Sequence, residues 1–123
     1  MKQKGFTLIE VLIVLSILAI SFALAYPALS RFSARLTLQA AARTLASDFR
    51  ALQAAAVSKH RTLNFQPEKA TLPGGIKVVA TSLIGFSPSG FTPPGGSGTW
   101  TLKNRLGDQK KIIVSSMGRV RVE

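Results

Sequence analysis

Apolar side chains run almost without a break from Phe6 to Leu29, interrupted by Glu10, Ser16, Ser21 and Pro27. A stretch of about 20 apolar residues is long enough to cross a bilayer as a helix. Beyond Pro27 the pattern changes period. Leu38, Ala41, Ala42, Leu45, Phe49, Leu52 and Ala56 recur at spacings of three and four, which is the apolar stripe of an amphipathic helix. Arg31, Arg35, Gln39, Arg43 and Arg50 fall on another face, read as solvated surface. Residues 28–58 are rich in Ala, Leu, Arg and Gln, all good helix formers. The two stretches predict one long helix, kinked rather than ended at Pro27.

After Ser58 the period drops to two and the pattern predicts strands. Residues 61–66 carry Leu63 and Phe65 on one side; residues 76–81 follow the turn Pro73-Gly74-Gly75. Residues 82–86 are a third strand or a continuation of the second. Residues 99–104 set Trp100 and Leu102 against Thr101 and Lys103; residues 111–115 and 119–123 complete the set. Between residues 85 and 98 the glycines and prolines predict a mobile loop, with Phe86 and Phe91 partly exposed at its flanks. Gly107-Asp108 suits a turn. The fold class is therefore α+β, a long N-terminal helix packed on a small antiparallel sheet.

Composition narrows the chemistry. Cysteine is absent, so neither a disulfide nor a thiolate site exists. The net charge is +11, and residues 30–123 hold nearly all of it, with 14 Lys and Arg against four Asp and Glu. Such a field suits nucleic acid, an anionic membrane surface or an acidic protein. Solubility alone is the plainer explanation. His60 stands alone, which argues against a metal site and for a helix-end cation. Asp48 and Glu68 are isolated and form no acid–base pair. Trp100 could stack on a base, but core packing is the stronger reading. No cofactor-binding or nucleophile motif is present, and the expectation is a protein that is not an enzyme.

Glu10 is the most telling position. A carboxylate in a membrane helix costs up to about 2.5–3.5 kcal/mol and so points to a function and a positive partner. A secretory signal cut after Ala23-Leu24-Ala25 would need no such charge. Lys2-Gln-Lys-Gly-Phe-Thr-Leu-Ile-Glu10 instead resembles the class III leader of type IV pilins and type II secretion pseudopilins. The resemblance implies cleavage after Gly5 by a prepilin peptidase, methylation of the new amine of Phe6, and Glu10 as the assembly carboxylate that meets a neighbouring subunit's N-terminus. It further implies a leader at 1–5, a membrane and assembly helix half at 6–29, and an exported domain at 30–123. The N-terminus would be cytoplasmic in a single-pass inner-membrane precursor, which then joins other pilins in a filament at the cell surface or in the periplasm.

The stretch Leu45–Val57 and the ending Ile112–Val122 resemble the FimT/GspH-like branch. That branch holds DNA-binding minor pilins of natural transformation and H-type minor pseudopilins of type II secretion. Gly118-Arg119-Val120-Arg121 matches a Gly-Arg-x-Arg motif that the resemblance assigns to DNA contact. In an extended strand Arg119 and Arg121 project from one face and stand about 6.6 Å apart, each able to fork onto a phosphate. Lys103, Arg105, Lys110 and Lys111 lie in neighbouring strand ends and turns and could widen the patch. The competing reading is an edge strand whose arginines discourage edge-to-edge pairing.

Overall fold

A computed structural model describes residues 5–66, 72–80 and 82–123, with nothing said of the Ala80 side chain. Lys2, Lys4, Glu68 and Thr81, which enter the sequence reading, lie outside the described residues. One helix, α1, covers Leu8–Ser58, and six strands follow: β1 Leu63–Asn64, β2 Lys77–Ala80, β3 Gly85–Phe86, β4 Gly98–Lys103, β5 Gln109–Val114 and β6 Val120–Val122. The arrangement is α+β, as the periodicity predicts, and pilin-like, as the resemblance implies. The chain divides into two units, Met1–Ser33 and Ala34–Glu123.

In the first unit the apolar side chains of α1 are exposed from Leu8 to Leu29. A run of 22 helical residues rises about 33 Å, matching a hydrocarbon core of about 30 Å. The two serines cost little in that setting. Ser16 Oγ donates to the Leu12 carbonyl at 2.7 Å and Ser21 Oγ to the Ile17 carbonyl at 2.8 Å, so each hydroxyl is satisfied within its own helix. The helix continues through Pro27 without ending.

The second unit holds the core. Leu38, Ala41, Ala42, Leu45, Ala46, Phe49 and Ala56 of α1 are buried, so the predicted stripe is the packed face, with Leu52 partly covered. Against it stand Trp100 and Leu102 of β4, Ile112 and Val114 of β5, and Val120 of β6. Phe49 meets Phe65 at 4.9 Å and Trp100 at 5.3 Å between ring centroids, both edge-on. Such pairs contribute about 0.5–1.5 kcal/mol each beyond area burial. Trp100 Nε1 donates to the Ser82 carbonyl at 2.9 Å, which settles the ring as a core group.

The strands form two antiparallel sheets rather than one: β2-β4-β5-β6 with four strands and β1-β3 with two. The predicted strand at 61–66 shrinks to two residues, and residues 82–86 yield the separate β3, paired with β1. The glycine- and proline-rich segment is fastened rather than free. Gly85 N donates to the Gly96 carbonyl, Ser87 N to Phe91, and Thr92 N to Ser116. Gln53 Nε2 donates to the Gly90 carbonyl at 2.7 Å and to the Gly118 carbonyl at 3.1 Å, tying that segment and the β5–β6 turn to α1. Phe86 is fully buried, whereas Phe91 is half exposed.

Candidate functional site

Two groups of residues carry the candidate chemistry, and they lie in different units. The first is the start of α1. Thr7 caps the helix: Glu10 N donates to Thr7 Oγ1 at 3.3 Å and to the Thr7 carbonyl at 3.1 Å. Thr7-Leu-Ile-Glu10 thus has the spacing of a capping box, with an acid in the first turn where the helix dipole favours it. Gly5 and Phe6 precede the helix and are exposed. A Cβ on Gly5 would meet nothing within 4 Å, so nothing in the folded chain demands a glycine there.

The second group lies on the solvent side of the four-stranded sheet. Side chains alternate across a strand, and directly paired residues share a face. Trp100 and Leu102 point inward; Thr101 and Lys103 point outward. Register then carries the outward face across the sheet: Lys77 pairs with Lys103, Thr101 with Lys111, and Ile113 with Arg121. Each of the four strands thus places one exposed cation on this face. Arg119 enters it just before β6, where its carbonyl accepts from Ser115 N at 3.0 Å.

A groove of about 470 Å³ runs beside β6, lined by Ile113, Ser115, Met117, Arg119, Arg121 and Glu123. The expected opposition of Arg119 and Arg121 to Val120 and Val122 is what the burial pattern of β6 shows. A second groove, about 400 Å³, is lined by Gly75, Lys77, Lys103, Asn104 and Arg105. There the Arg105 guanidinium lies over Gly75. Carboxylates are sparse on the face among the described residues. Glu123 pairs with Lys111 through reciprocal main-chain bonds of 2.8 Å. Asp108 is held elsewhere, by Arg35 Nε at 3.4 Å and Asn104 Nδ2 at 3.0 Å.

Two members of the predicted patch sit differently. Lys110 pairs with Leu102 and so belongs to the opposite, helix-facing side, half-buried and apart from Lys111. Gly118 takes the turn position that a glycine before Arg119 suggests, and is itself buried. Its φ of 74° is left-handed, and a Cβ there would run into the Gly90 carbonyl and Gln53 Nε2. Its part in the Gly-Arg-x-Arg motif is to shape the turn that presents Arg119. Sequence reasoning missed Lys77, whose place beside Lys103 depends on pairing between distant segments. The alternation of outward Lys77 and Val79 with inward Val78 was the available signal.

The family model for the prokaryotic N-terminal methylation motif matches residues 1–26. No curated protein and no solved structure matches the chain. The motif suggests processing by a prepilin peptidase and assembly with other pilins, and an apolar helix behind it fits membrane anchoring. It accounts for a glycine and a carboxylate that the fold alone does not require; it marks a type IV pilin-like protein and supports a pilin or pseudopilin.

Proposed function

We propose that this protein is a minor pilin of a type IV pilus that binds DNA without reading its sequence, in the service of DNA uptake. The observation that carries the reading is the outward face of the four-stranded sheet, to which each of its strands contributes a cation and on which, among the described residues, Glu123 is the carboxylate lining the groove. Arg119 and Arg121 line one groove and can each engage a phosphate through a planar fork. Contacts of this kind hold the backbone and carry no base information. The work is structural and electrostatic, with no catalytic step. The precursor sits in the inner membrane with its N-terminus in the cytoplasm. After cleavage following Gly5 and methylation of Phe6, Glu10 draws the subunit into a filament that displays the basic face outside the membrane.

The test is titration of the full chain, in neutral-detergent micelles, with duplex DNA of mixed sequence at several salt concentrations. The log–log slope should be several units, and Arg119→Ala with Arg121→Ala should flatten it by about 1.8, near 0.9 per lost phosphate contact. Equal slopes for the wild type and the double variant would remove the motif from the site. Failure to bind at low salt would overturn the DNA reading and leave an H-type minor pseudopilin of type II secretion, or a priming minor pilin.

A further inference from the structure

The cations on the sheet form a line rather than a patch. Lys77 stands opposite Lys103, and Lys103 opposite Gln109. Lys111 follows two residues further along β5. Arg121 lies opposite Ile113, two further again, and Arg119 bonds to Ser115 at the next step. Each move of one strand from β4 towards β6 therefore advances the charge by two residues. With strands ~4.8 Å apart and ~3.4 Å per residue, successive cations stand ~5–8 Å apart, and the line from Lys77 to Arg119 is about 25 Å long. Thr101 and Val79, off the line, are uncharged, and Glu123 flanks it beside Lys111.

A uniformly charged face accepts a polyanion at any angle, whereas a line selects one. Placing Lys77 directly against Lys103 works against the sheet, because like charges opposite one another destabilise it. Neither lysine has an ion-pair partner among the described residues. The outward residues of β2, β4, β5 and β6 include no aromatic ring on which a base could stack, and Trp100 is wholly buried. That argues against a single strand held by its bases and for a duplex held by its phosphates.

We propose that the diagonal from Lys77 and Lys103 through Lys111 to Arg121 and Arg119 seats a nucleic-acid duplex in one orientation, spanning about seven base pairs. This rests on the DNA reading above and adds a second anchoring corner, the Lys77–Lys103–Arg105 groove, at the far end from the arginine motif.

The experiment compares DNA hairpins with stems of about 4 and about 12 base pairs, spanning about 14 and about 41 Å. The full chain in neutral-detergent micelles is titrated by fluorescence anisotropy over a range of salt. The variants are Lys77→Ala with Lys103→Ala, and Arg119→Ala with Arg121→Ala. On the long stem each pair should lose about 1.8 units of salt slope. On the short stem, which reaches only one corner at a time, each variant should keep the wild-type slope. Lys77→Arg with Lys103→Arg should keep the wild-type slope on both, which separates charge from folding. If the wild type binds the long stem and the lysine pair makes no difference, or the same difference on both stems, the diagonal is wrong while DNA binding stands. Tighter binding of an unpaired strand than of the long stem would overturn the duplex assignment. No binding by the wild type to either stem would overturn both readings.

Discussion

His60 sits at a helix end, as the sequence suggests. The structure adds a backbone role that its residue type does not announce. Its φ is 50°, His60 N donates to the Val57 carbonyl, and Arg61 N donates to the Ala56 carbonyl. Those two bonds are a Schellman closure of α1, with a histidine where glycine is usual. A left-handed residue with a Cβ costs about 1–2 kcal/mol, and a glycine replacement loses about 0.5–1 kcal/mol of that gain to unfolded-chain freedom. His60→Gly should therefore raise stability by about 0.5–1 kcal/mol, read as an upward shift of the urea midpoint at unchanged slope. A lowered midpoint would mean the imidazole does something the backbone bonds do not explain.

At the scale of elements, α1 and the four strands of the larger sheet were legible, and the pairing between strands was not. The α1 stripe from Leu38 to Ala56 reads directly from spacing because helix contacts repeat every three to four residues. The inward and outward faces of β4 and β6 read from alternation for the same reason. The β1–β3 ladder, at Leu63↔Phe86 and Asn64↔Gly85, has two residues per strand and no period to detect. Lys77 escaped because register is a long-range property. The fastening of residues 87–92 escaped because it joins distant segments: Gln53 bonds both Gly90 and Gly118, and Thr92 N bonds the Ser116 carbonyl. That junction makes a prediction. Gly118→Ala puts a methyl group against the Gly90 carbonyl in a left-handed turn, and should cost about 1–3 kcal/mol. Thermal unfolding of the full chain in micelles should show a lower midpoint, with reduced DNA affinity because Arg119 is re-aimed. An unchanged midpoint would show that residues 87–92 move aside at little cost.

For the whole molecule, the N-terminal motif suggests assembly with other pilins, and the sheet is then carried as one part of a larger body. Thr7 caps α1 through its own oxygen atoms, so the helix start does not need the Glu10 charge to form. Glu10→Gln keeps the shape and removes the charge. It should leave leader cleavage intact, with mass spectrometry finding a mature chain that begins at Phe6. Recovery of the chain with partner pilins after cross-linking should fall several-fold. Undiminished recovery would mean that the carboxylate serves only its own helix. The pilin-type motif was legible because it is short and linear. On the sheet, Arg119, Arg121, Lys103 and Lys111 were legible as outward cations from alternation, whereas their alignment across strands was not, because it depends on register.

The rim of the sheet bears on how copies of this chain can join. In β6 the main-chain groups of Arg119 and Glu123 turn towards β5, which leaves those of Val120 and Val122 facing out. Arg50 reaches from α1 to the Val120 carbonyl at 3.5 Å and occupies one of them. A ladder that knits one subunit's β2 to the next subunit's β6 therefore finds a three-residue border with a guanidinium already docked on it. In the assembly proposed above, contacts between subunits then fall to the helices, and the charged face is not sewn shut by strand pairing.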